Sequence, residues 1–187
     1  MRAAGWLVVC AGAGAVAGAA GPAHAADYSL DPTHTTLHIE LAAVGGLSTV
    51  TARLPKSEGT LAFDRAARSG RVEISLPAAA LDSGVTALDA LLRGPAMLDA
   101  ATHPLIKFSG DTFRFDGDKL GAVAGTLTLK GRDVLLTLNA IRFNCYTSPL
   151  FRREVCGGDF EARIDRAAFG LGEGSALLRV QVEAIRL

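Results

Sequence analysis

Arg71-Val72-Glu73-Ile74-Ser75-Leu76 alternates polar and apolar side chains without a break. Successive side chains of a β-strand point to opposite faces, so this stretch has one wet and one dry face, the pattern of antiparallel sheet. The same period of two recurs in both directions. Upstream, Leu37, Ile39 and Leu41 alternate with His38 and Glu40. Downstream, Ile106 and Phe108 flank Lys107, and Phe113 and Phe115 flank Arg114. Leu127 and Leu129, then Phe160, Ala162 and Ile164, then Val180 and Val182 carry it to the end of the chain.

Turn-forming clusters separate these runs: Gly45-Gly46, Arg68-Ser69-Gly70, Asp116-Gly117-Asp118, Lys130-Gly131-Arg132-Asp133 and Gly157-Gly158-Asp159. About eight strands are expected, beginning near residues 35, 47, 59, 71, 105, 121, 134 and 159, with a last one near 177. An all-β barrel or sandwich follows. Between Val134 and Phe143 the apolar parity changes, from Leu136 and Leu138 to Ile141 and Phe143. A bulge, or a strand buried on both faces, explains the change. One segment breaks the pattern. From Asp82 to His103, Leu88, Leu91, Leu92, Met97 and Leu98 fall at helical spacings, interrupted by Gly94-Pro95 and ended by Pro104. This predicts one or two short helices covering an end of the barrel.

The chain has 187 residues, 19 basic and 19 acidic side chains, and 49% hydrophobic residues. The balanced charge leaves no electrostatic footprint for nucleic acid, and the hydrophobic content excludes a disordered chain. The length suits one domain. Residues 1–25 read as a signal peptide: Arg2 leads an apolar run from Trp6, and Ala23-His24-Ala25 presents small residues where an exporting peptidase cuts. Cleavage after Ala25 leaves a domain of residues 26–187 that is about 46% hydrophobic and holds two cysteines, Cys145 and Cys156. The expected location is the periplasm or the cell exterior.

Motifs for catalysis are missing. No Gly-x-Ser-x-Gly elbow, His-Glu-x-x-His or phosphate-binding glycine loop occurs. His34 and His38 have helical metal-pair spacing but begin a strand, where four residues span roughly 13 Å. No catalytic residue, metal set or cofactor is assigned, and a binding protein rather than an enzyme is expected. Cys145 and Cys156 bracket one connection, and in an oxidising compartment they read as a structural disulfide. The tied loop carries Leu150, Phe151 and Val155 beside Arg152 and Arg153. It forms a lid over a pocket, with the arginines meeting a polar head group, or else packs on the rim.

Several segments, in order, resemble the YceI-like family of bacterial lipid-binding proteins. They include Leu30-Asp31-Pro32-Thr33-His34-Thr35, Leu81-Asp82-Ser83-Gly84, His103-Pro104-Leu105-Ile106-Lys107-Phe108 and Gly125-Thr126-Leu127-Thr128-Leu129-Lys130-Gly131. Phe143-Asn144-Cys145-Tyr146 and Val155-Cys156-Gly157 resemble a branch with paired cysteines. Ala43 and Leu91 stand where the family often has His. The resemblance implies an eight-stranded antiparallel barrel, lipocalin-like in architecture, holding a polyisoprenoid or similar long amphiphile inside. The tail would then lie against Ile39, Leu41, Ile74, Leu76, Phe108, Leu129, Leu138 and Phe160, with Phe151 over it. Polar contacts would come from Arg142, Tyr146 or Arg152. Small residues such as Ala62, Ala124 and Ala162 would leave room for a chain. The alternative implied by the resemblance is a scaffold that binds a membrane partner of a b-type cytochrome or quinone system.

Overall fold

The structure, a computed structural model, describes residues 25–42 and 48–187. Residues 1–24 of the expected signal peptide and the expected Gly45-Gly46 turn lie outside the described residues. Among the described residues there are ten strands: β1 (Ala26–Leu30), β2 (Thr36–Ala42), β3 (Thr49–Leu54), β4 (Glu58–Asp64), β5 (Ser69–Pro77), β6 (Leu105–Asp116), β7 (Lys119–Leu129), β8 (Arg132–Thr147), β9 (Glu154–Asp165) and β10 (Ser175–Arg186). All pairings are antiparallel, and β1 pairs with both β4 and β10, which closes the sheet on itself.

Ten strands make an eight-position barrel because two positions are broken in the middle. β10 pairs with β2 through residues 176–181 and with β1 through 184–186, so β1 and β2 form one interrupted strand. β3 and β4 form a second, lying against β2 and β1 respectively. The breaks are stitched together by buried hydroxyls. Ser57 Oγ donates to Thr35 O at 2.8 Å, and Thr35 Oγ1 donates to Glu183 O at 3.2 Å. β1, a short polar-apolar stretch just after the expected signal segment, is absent from the strand starts expected from the sequence.

Three hairpins, β4–β5, β6–β7 and β8–β9, turn at one end of the barrel, called here the upper end. The lower end is covered by the long β5–β6 connection. This connection contains a single 3-10 turn (Ala78–Ala80) and one α-helix, α1 (Thr86–Arg93). Residues 95–103, the second helix allowed by the spacing, form turns instead. α1 points Leu88 and Leu92 at the core and leaves Leu91 exposed. Its start is fixed from within, since Ser83 N and Oγ both donate to Asp89 Oδ1, at 2.7 and 2.6 Å. Gly94-Pro95 ends it, as a residue before proline disfavours helix. Arg53 and Asp82 then exchange backbone hydrogen bonds at 2.8 and 2.9 Å, which ties the connection to the free edge of β3.

The parity change foreseen in β8 is a bulge. Ala140 faces Phe160 and Arg142 faces Asp159, so Ile141 is the extra residue, and it is exposed. β6 and β7 carry the same device at Asp111 and Gly121. A bulge adds one unpaired residue and reverses which residues face inward. In β6 the even positions Ile106 and Phe108 face the core below the bulge, and Phe113 and Phe115 face it above.

Inward positions carry several of the smallest residues. Gly110 and Gly125 face each other, and a Cβ on Gly125 would lie 2.1 Å from Ser109 O. Ala162 is inside, as expected. Ala62 and Ala124 are not: their neighbours Leu61, Phe63 and Val123 fill the core, and alternation places those two alanines on the outer face. Among the described residues no helix is long and apolar enough to cross a membrane.

Candidate functional site: a mouth and two apolar chambers

The upper end of the barrel opens into a mouth of about 580 Å³. Phe63, Phe115, Leu120 and Phe143 form its floor, and the hairpin ends above supply Arg65, Arg68, Asp118 and Lys119, the last at the start of β7. Phe63 is the hub of the aromatic group. Its ring centroid lies 6.0 Å from Phe113, 6.3 Å from Phe115 and 5.5 Å from Phe143. Phe143 continues the chain to Phe160 at 6.3 Å. Pairs at such distances contribute about 0.5–1.5 kcal/mol each beyond their burial.

Below the floor lies an apolar chamber of about 40 Å³, which shares Leu120 and Phe143 with the mouth. A second, of about 30 Å³, lies deeper, lined by Leu76, Ile106, Leu127, Leu136, Leu178 and their neighbours. Ile74, Phe108 and Leu138 border both chambers and form a waist between them. Each chamber is comparable to the volume of one water molecule, about 30 Å³ in the liquid. The three spaces are therefore linked through shared side chains, and the core between them is packed. A long chain enters only by displacing the waist.

Of the residues expected to bind a ligand, Ile74, Phe108 and Leu138 form the waist, Phe160 lines the upper chamber and Leu76 the lower. Ile39, Leu41 and Leu129 belong to the surrounding core. Arg142 and Tyr146 lie elsewhere, on an outer cleft of about 330 Å³ across β8, β9 and β10. Arg142 is ion-paired there with Asp159. Phe151 and Arg152 sit in the turn of the β8–β9 hairpin and line neither the mouth nor the chambers. The aromatic floor and the cations Arg65, Arg68 and Lys119 were not singled out from the sequence. The available signal was a Phe near the end of each of two strands, followed within a few residues by a basic residue at the hairpin end.

The cysteines are bonded, and they are directly opposite each other on β8 and β9, with Cα atoms 4.0 Å apart. The bond is therefore a rung across two strands, and the loop beyond it is shorter than the cysteine spacing suggested, because β9 begins at Glu154. Cys156 is fully buried and faces the upper chamber. Glu154 completes a ligand-like trio with the two sulfurs, but the disulfide leaves no thiolate to bind a metal. Tyr28, also buried, donates its hydroxyl to Glu154 Oε1 at 3.2 Å. Burial and the negative charge of Glu154 push the Tyr28 phenol above its ordinary range.

At the break between β1 and β2, His34 Nδ1 lies 2.8 Å from Asp31 Oδ2. Although burial opposes ionisation of Asp31, hydrogen bonds from Thr33 and His34 bring its pKa down to about 2. Asp31 in turn raises the pKa of His34, with help from Glu183.

The YceI-like domain model matches residues 28–185, nearly the whole described barrel. The chain belongs to the YceI-like family. Protein YceI of Escherichia coli O6:H1 (strain CFT073) is 30% identical over 124 residues, 65% of this chain. The match spans 64% of that relative's length, a little under two thirds. Among solved structures, Burkholderia cenocepacia BcnA superposes with a TM-score of 0.65 at 18% identity, covering 83% of this chain and 98% of BcnA. A polyisoprenoid-binding domain from Saccharophagus degradans, implicated in plant cell wall breakdown, gives 0.64 at 14% identity, covering 88% of this chain and all of that one. At these identities the two structures speak for the YceI-like fold.

Proposed function

We propose that the chain is an exported, non-enzymatic carrier that holds a polyisoprenoid or similar long amphiphilic lipid along the barrel axis. The observation that carries this reading is the line of linked spaces: a roomy mouth with an aromatic floor, then two chambers lined almost wholly by apolar side chains. Apolar burial at about 25 cal/mol per Å² supplies the affinity, and the narrow waist favours a slender chain over a bulky ring system. Membership of the YceI-like family supports the reading, as does the likeness to a domain described as polyisoprenoid-binding. The reading of residues 1–25 as a signal peptide supports a location in the periplasm or outside the cell.

The test is native mass spectrometry of the protein recovered from the exported fraction, followed by organic extraction. The expected result is a chain beginning at Ala26 with one co-purified isoprenoid-type lipid. An exported protein with no extractable lipid, and no binding of added geranylgeraniol, overturns the reading.

A further inference from the structure

We infer that the mouth selects amphiphiles with a single anionic head, a carboxylate or a phosphate monoester, over neutral ones with the same tail. This deepens the carrier reading and rests on it. Three cations and one carboxylate line the mouth. Arg68 is occupied by Asp118 at 2.9 Å. Among the described residues Arg65 and Lys119 are in no direct ion pair, although Asp116 lies opposite Lys119 in the β6–β7 register, and the residues lining the mouth keep an excess of two positive charges. Each lies just beyond a floor phenylalanine near the end of a strand: Phe63 and Asp64 end β4 before Arg65, and Phe115 and Asp116 end β6 before Lys119, the first residue of β7.

Charge and apolar surface are thus stacked in the order an acidic amphiphile presents them. Its tail passes between the rings and its head stops at the cations. Charge-assisted hydrogen bonds are roughly twice as strong as neutral ones, so an anion gains more at this rim than an alcohol does. The other spaces lack this arrangement. The outer cleft pairs its one arginine with Asp159 and adds Glu183, which gives it a negative balance. The lower chamber has only Thr35 and Thr36 as polar lining, and its end is covered by the β5–β6 connection.

The experiment is calorimetric titration of the mature chain, at 0.15 M salt by choice, with three probes sharing one tail: geranylgeraniol, geranylgeranoic acid and geranylgeranyl monophosphate. At least one acidic probe is expected to bind about tenfold more tightly than the alcohol, and the tighter of the two identifies the preferred head. The double variant R65Q/K119Q is expected to bring the acids within about twofold of the alcohol. K107Q, which removes an exposed charge from the outer face of β6, leaves the preference intact. R65K restores much of what R65Q loses, which separates charge from folding. Alcohol binding as tight as both acids, or an unchanged preference in R65Q/K119Q, overturns the inference and leaves the carrier reading standing. If none of the three probes binds, the carrier reading falls and this inference falls with it.

Discussion

Phe108 is the most informative single side chain to remove. It is buried to 4% exposure and borders both chambers, with Ile74 and Leu138 completing the waist. In F108A the two chambers, about 40 and 30 Å³, merge into one larger cavity. Truncating a core phenylalanine costs about 3–5 kcal/mol, the lost transfer energy plus the cavity left behind. For a domain of this size that lowers Tm by about 6–20 °C. The same substitution removes an obstacle to a long chain. In the native protein, part of the binding energy is spent moving the waist, and in F108A that work is already done. Geranylgeraniol is therefore expected to stabilise F108A more than the native protein, by an amount equivalent to about tenfold in affinity. Geraniol, short enough for the mouth and upper chamber, stabilises both equally. Differential scanning calorimetry with each probe reads both effects. A loss below about 1 kcal/mol would show that the ring is not packed at a waist. Equal gains from the long probe in both proteins would refute the threading route itself.

Other consequences follow from the same structure. Replacing both Cys145 and Cys156 with Ala frees a loop with a sequence separation of 11 and is expected to cost about 3 kcal/mol in a urea titration under oxidising conditions. The difference disappears when both proteins are measured in reductant. Asp31 ionises more readily folded than unfolded, so its contribution is complete above its ordinary value of 3.8 and is lost as pH falls through its folded value of about 2. D31N should flatten that acid limb of the stability curve. His34 has the opposite sign: its contribution is complete below 6.5 and fades as pH rises through its raised folded value, so H34A should lose more stability at pH 5 than at pH 9. G125A places a Cβ against backbone, 2.1 Å from Ser109 O and 2.6 Å from Gly110 Cα. It is expected to cost at least about 2 kcal/mol, measured as a lower urea midpoint with an unchanged slope.

The alternation around Ile74 was enough to identify antiparallel sheet, and the same regularity led directly to the waist residues Ile74, Phe108 and Leu138. The missing strand, β1, had no such advantage. It is five residues long, and its pattern becomes meaningful only when β4 and β10 lie on either side. The second helix failed for a related reason. Met97 and Leu98 suit a helical face, but Gly94-Pro95 breaks the first helix, and the residues up to Pro104 have enough backbone partners only for turns. The rim was legible in principle. Ile106 and Phe108 differ in parity from Phe113 and Phe115, which demands a bulge near Asp111, as the β8 pattern did near Ile141. Polar residues on one hairpin were easier to notice than charges from two separate hairpins, because tertiary closure is what brings Arg65 and Lys119 to one opening.

The staircase of bulges at Asp111, Gly121 and Ile141 divides the barrel into two zones that obey opposite facing rules. Below it, β6 shows the interior its even-numbered side chains; above it, the odd-numbered ones. Deleting any one bulged residue would turn the upper part of that strand inside out and leave its lower part in register. The opening and the lower chamber are therefore specified by separate sets of residues, while Leu120 and Phe143 serve both the opening and the upper chamber. A lineage, or a protein engineer, can rewrite what the opening recognises without repacking the lower chamber at the far end of the shaft.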